Sequence, residues 1–166
     1  MNKLLNKEFY QINNGGVWVY CSAKAFDDLT GNTINAMLAD FIRNWQSHGH
    51  DIKGLYQIID QKLVIVAIDG DKQQATGCSI DALTKVMNAF KEKLGVDFLN
   101  RFNIPVFKGG TIKVYNPETI GNALDSGEIT LDDPMVNLAV HNLEMLKSKF
   151  LIPIRESWVM RQLEFS

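Results

Sequence analysis

The chain has 166 residues, 46% hydrophobic and 22% charged, with 17 basic and 19 acidic side chains giving a net charge of −2. Such a length and composition suit one globular domain with a sizeable core and exclude a disordered chain. The lysines are scattered, with Lys85, Lys91 and Lys93 on the solvated side of a predicted helix, which argues against a nucleic-acid footprint; no apolar run is long enough for a membrane span.

Val17-Trp-Val-Tyr-Cys-Ser22 predicts a first strand, rich in aromatic and β-branched residues. The stripe Ile34, Met37, Leu38, Phe41, Ile42 and Trp45 predicts a helix, with Asn32 or Thr33 as its cap and Gly49 as its end. Two strands over 52–59 and 62–69, linked by Asp60-Gln61, predict an antiparallel hairpin. A two-residue turn there sets Ile52 opposite Asp69 and Asp51 opposite Gly70. Leu63 to Ile68 is apolar at every position, the pattern of a central strand covered on both faces. Ile80, Leu83, Met87, Phe90 and Leu94 stripe a second helix over 80–94, opened by Ser79 and closed by Gly95.

A strand or pair follows at 104–115 around Gly109-Gly110, then a capped helix start at Asn116-Pro-Glu. A further helix is expected over 135–150, with Val136, Leu138 or Ala139, Leu143, Leu146 and Phe150 inward. The segment "IPIRESW" would pin the tail onto the sheet, with Trp158, like Trp18 and Trp45, anchoring the core. The order β-α-β-β-α-β describes an α+β fold of the ferredoxin-like, split βαβ type. No linker or repeat divides the chain, so one domain is expected over 1–166: a sheet-and-two-helix core at 1–115 with the helical last third, 116–166, packed on it.

This topology gathers Ser47–Asp51 and Ile68–Asp81 at one end of the sheet. Cys78 would lie in the first turn of a helix, where free N–H groups and the dipole favour a thiolate. With His48 or His50 as base it forms a candidate nucleophile; Gly77, Ser79, Asp69, Asp71 and Asp81 are candidate ligand-binding residues of the same end. The plainer interpretation has Ser79 as a cap, Asp81 complementing the dipole and Cys78 filling a small space. Cys21 belongs at the opposite end, which argues against a Cys21–Cys78 disulfide. His48-Gly-His50 has the form of a zinc pair that Cys78, Asp69 or Asp71 could complete, but the spacing alone assigns no metal. Asp69-Gly-Asp71 lacks the later ligands of a calcium loop, and no cofactor is assigned. Arg155 and Arg161 offer positive charge without a specific spacing.

"HGHDIKG", an apolar hairpin ending in Asp69, "GCSID" and "ESW" together resemble a family of short, uncharacterised bacterial proteins commonly labelled "ABC transporter ATPase". The resemblance spans roughly residues 17–163 and implies a small soluble protein without an assigned activity. The family carries His after the closing Trp, where this chain has Val159. The label itself requires G-x-x-x-x-G-K-[ST], which this chain lacks, so a P-loop ATPase is not expected. Met1–Glu8 has no signal-peptide core, and two cysteines fit reduced thiols in a cytoplasm. The expected function is binding of a small ligand or protein partner at the 47–51 and 69–81 end, with homodimer formation open. The alternative is a thiol-dependent enzyme built on Cys78.

Overall fold

The computed structural model describes residues 1–165. In chain order it places β1 (Val17–Cys21), α1 (Asp28–Asn44), β2 (Gln46–Ser47), β3 (His50–Asp51), β4 (Gly54–Ile59), β5 (Leu63–Ile68) and α2 (Gly77–Leu94). There follow β6 (Ile104–Lys108), β7 (Thr111–Tyr115), α3 (Ile120–Asp125), β8 (Pro134–Val136), α4 (Leu143–Lys149), β9 (Leu151–Pro153) and α5 (Val159–Glu164). The architecture is mixed α+β with antiparallel sheets. No helix among the described residues is long and apolar enough to cross a membrane.

The central sheet has the order β1-β5-β4, each pair antiparallel. β5 is buried at every position because its alternate side chains serve two cores. Leu63, Ile65 and Ala67 pack with Val17, Val19 and Cys21, and with Phe9, Leu143, Leu146 and Phe150 from the two ends of the chain. Val64, Val66 and Ile68 face Ile34 and Leu38 of α1 and Leu83, Met87 and Phe90 of α2. The both-faces-covered pattern of Leu63–Ile68 is therefore literal.

The β4–β5 hairpin is offset by one residue from the expected register: Ile59 pairs with Leu63, and Gly54 with Ile68. Asp60 and Gln61 do make the turn, both at positive φ (54° and 52°), and Lys62 N–H donates to the Ile59 carbonyl at 3.1 Å. Lys62 is then an extra residue, a bulge, whose carbonyl accepts instead from Ser22 N–H at 2.8 Å. Asp51 consequently does not face Gly70; it pairs with Gln46 in the small β2–β3 hairpin.

Both long helices start earlier than expected. Asp27 caps α1, accepting from Thr30 N–H at 2.8 Å, and this leaves Asn32 and Thr33 inside the helix. Thr76, not Ser79, is the N-cap of α2. Gly95 closes α2 as anticipated, at φ 68° with its N–H on the last-turn carbonyls. Gly49 does not end α1, which stops at Asn44; it turns the β2–β3 hairpin.

The 104–115 pair forms around Gly109-Gly110 but does not join the central sheet. β6 and β7 belong to a second sheet of order β7-β6-β8-β9. The outer side of β1 is already occupied: Val17 N–H donates to His141 O at 3.0 Å, Arg101 Nη1 to Val19 O at 2.8 Å, and Asn103 Nδ2 to Cys21 O at 2.8 Å. Residues 135–150 are not one helix. Pro134–Val136 is strand β8, and the helix begins only after Asn142, whose Oδ1 accepts from Met145 N–H at 2.8 Å. Val136, Leu138, Leu143, Leu146 and Phe150 are nonetheless all buried, while Ala139 is exposed. Asn116 Oδ1 accepts from the N–H groups of Glu118 and Thr119, so the Asn-Pro-Glu turn is capped although α3 starts at Ile120. β9 pairs with β8 and pins the tail, and Ile154 is buried. Trp158 is not a core anchor; it is 36% exposed and packs edge-on against Phe102.

Candidate functional site

The β2–β3 hairpin is a two-residue turn with Ser47 paired to His50. His48 and Gly49 occupy the tip at φ 52° and 77°, a combination that glycine accepts and a histidine takes up at a cost. Two side chains fasten this hairpin to the start of α2. Trp45 Nε1 donates to Ser79 O at 2.9 Å, and Ser47 Oγ donates to Thr76 Oγ1 at 3.2 Å. Ser79 is buried and reciprocates within the first turn, its Oγ accepting from Thr76 N–H at 2.7 Å. The residues around 47–51 and the opening of α2 are thus held together by the fold.

Within that arrangement the candidates divide. His48, His50, Asp51, Gly77, Cys78 and Asp81 are exposed. No hydrogen bond joins Cys78 to either imidazole among the described residues, so the expected Cys–His couple is not formed as a bonded pair. Ser79 is spent on the cap rather than offered to a ligand. Asp69 is buried, with Oδ1 accepting from Asp71 N–H at 3.2 Å and its carbonyl from Lys72 and Gln73 N–H. Asp71 turns away to the N-terminal segment, where Asn14 Nδ2 donates to it at 2.6 Å. No three His, Cys, Asp or Glu side chains are grouped to hold a metal ion among the described residues. Arg155 is paired with Asp132 at 2.6 Å.

The segment the sequence reading passed over is Asn13-Asn-Gly-Gly16. Asn14 has φ 56°, Gly70 N–H donates to Asn13 O at 2.9 Å, and Ile68 N–H to Gly16 O at 3.1 Å. Gln74 Nε2 donates to Asn14 O at 3.0 Å, closing the contact. An Asn-Gly step beside a strand is a turn signal in its own right, and Gly70, just beyond β5, is the kind of residue that admits a close backbone approach. Cys21 is at the far end of β1, unpaired, and burial pushes its thiol up to about 12 against the lowering pull of Lys62 and Arg101.

The arrangement offers an exposed thiol, two imidazoles and a carboxylate on a braced platform, with the buried groups beneath them already satisfied. No family model matches this chain, and no curated protein or solved structure is found to be similar to it.

Proposed function

We propose that the protein is a binding domain whose ligand or protein partner docks on the end formed by residues 47–51 and 69–81. One observation carries this reading: His48 is held at positive φ on the exposed tip of a hairpin that Trp45 and Ser47 brace against α2. Backbone strain of that kind persists where the surroundings impose it, and it clusters at functional positions. The same reading takes β1, β4 and β5 with α1 and α2 as a ferredoxin-like split βαβ unit without its closing strand, and keeps the resemblance to the short bacterial family. It does not include P-loop chemistry, since the chain lacks G-x-x-x-x-G-K-[ST] and β5 runs antiparallel to both neighbours.

Cys78 serves as a built-in reporter. Iodoacetamide modification of the native protein, resolved by peptide mass, is expected at Cys78 and not at buried Cys21. Cell extract is expected to protect Cys78 in the wild type and not in His48→Gly, although that exchange raises stability by about 0.5 kcal/mol by relieving the turn. Equal modification of Cys78 with and without extract would remove the proposal. The exposure of Cys78 in the first turn of α2 supports the second reading, a thiol enzyme with His48 or His50 as base. That reading expects His48→Ala or His50→Ala to slow Cys78 alkylation in plain buffer, which the binding reading does not.

A further inference from the structure

The opposite end of the central sheet carries a cavity of about 360 Å³. One wall is the loop after β1, Ser22–Ala25, and the other is the connection after α2, Gly95–Asn103. Aromatic packing locks the two walls together. Phe26, just beyond the first wall, meets Phe98 of the second edge-on at 6.0 Å, and Phe98 meets Phe90 of α2 at 5.9 Å. Ser22 is buried and its Oγ donates to Lys24 O at 2.7 Å, fixing the bend of the loop.

Asn103 gives this cavity its chemistry. It is 2% exposed, lines the space, and its Nδ2 is pinned to Cys21 O at 2.8 Å. That bond sets the amide orientation, and among the described residues no hydrogen bond to Oδ1 is found, although the atom is not sealed from solvent. Oδ1 is therefore open to the cavity that Asn103 lines, where a donor can take the place of water. Asp97 stands on the same wall, its Oδ1 accepting from Leu99 N–H at 2.9 Å and its Oδ2 3.6 Å from Lys91 Nζ. The facing wall has the complementary character. Among the described residues, the N–H groups of exposed Ala23, Lys24 and Ala25 make no hydrogen bond to the protein and Lys24 makes no ion pair.

We propose that this cavity binds a small bipolar metabolite of the free α-amino acid class. The carboxylate would meet Lys24 and the loop amides, and the ammonium would meet Asn103 Oδ1 and Asp97. The volume lies at the lower end of small-molecule sites, and the aromatic clamp means that little ordering is required on binding. This site is independent of the hairpin surface, which lies at the other end of the strands.

The test is an amide-shift titration of the full chain with individual free α-amino acids at millimolar concentration. At least one is expected to move the amides of residues 22–25 and 95–103. Lys24→Ala, an exposed loop change that leaves the core untouched, is expected to weaken that binding about tenfold. Asn103→Ala is expected to abolish it. Absence of shifts with every amino acid overturns the proposal, as does unchanged affinity in Lys24→Ala. Shifts confined to 47–51 and 69–81 would also overturn it, while leaving the hairpin reading standing.

Discussion

At Gly15 the lack of a side chain is a geometric requirement. A Cβ there would lie 1.7 Å from the Ile68 carbonyl oxygen, and one at Gly70 would lie 1.8 Å from the Asn14 carbonyl oxygen. Neither obstacle is a flexible side chain; both are backbone in mutual contact. Gly15→Ala and Gly70→Ala are each expected to cost about 3 kcal/mol or more, read as a fall in the urea midpoint. Gly77 is the control, since a Cβ at this first position of α2 meets nothing. Gly77→Ala is expected to raise stability by about 0.5 kcal/mol. Wild-type melting of Gly15→Ala would show that the two segments do not cross as described.

Among the elements, the β4–β5 turn does more than reverse the chain. Asp60 Oδ2 accepts from Ile112 N–H at 2.8 Å and Thr111 Oγ1 at 2.9 Å, and Lys62 Nζ donates to the Ile112 carbonyl. Partial burial pushes the Asp60 carboxyl up, but the Ile112 N–H, the Thr111 hydroxyl and the Lys62 ammonium outweigh it and hold it below the usual carboxylate range. A depressed folded-state value makes this contribution present above the unfolded value of about 3.9 and lost as pH falls through the folded one. Asp60→Asn is therefore expected to cost about 1 kcal/mol at neutral pH, with the deficit closing in acid. A deficit that does not change with pH would contradict this. The bulge that brings Lys62 into reach also marks what the sequence made legible. The apolar run of β5, the stripes of α1 and α2, and the Gly95 terminator depend on neighbours in sequence and were readable. The one-residue offset, the division of 135–150 into strand, loop and short helix, and the diversion of Asp71 to Asn14 depend on partners distant in the chain. Of the candidate site, the meeting of the hairpin with α2 was legible; the Thr76 cap and the use of Ser79 within it were not.

Over the whole molecule, the two ends of the chain meet beneath the central sheet. Leu5, Phe9 and Ile12 share a core with Val136, Leu138, Val140, Leu143, Leu146 and Phe150. The last third is thus an integral face of the sheet's packing, and a fragment of residues 1–115 would expose Leu63, Ile65 and Ala67 to water. Such a fragment is expected to lack the amide dispersion of the full chain; a well-dispersed spectrum would show that the sheet and its two helices suffice. The treatment of strand edges has a consequence of another kind. On β1 the polar groups that would greet a neighbouring strand are met by Arg101, Asn103 and the 141–142 backbone, and on β7 Asp60 and Lys62 do the same for Ile112. Polar groups of the chain itself therefore stand where a further strand would otherwise add, the arrangement that discourages edge-to-edge pairing between copies. Arg101→Ala would bare the Val19 carbonyl of β1 and is expected to raise the tendency of copies to pair edge to edge, read as faster aggregation of the native protein.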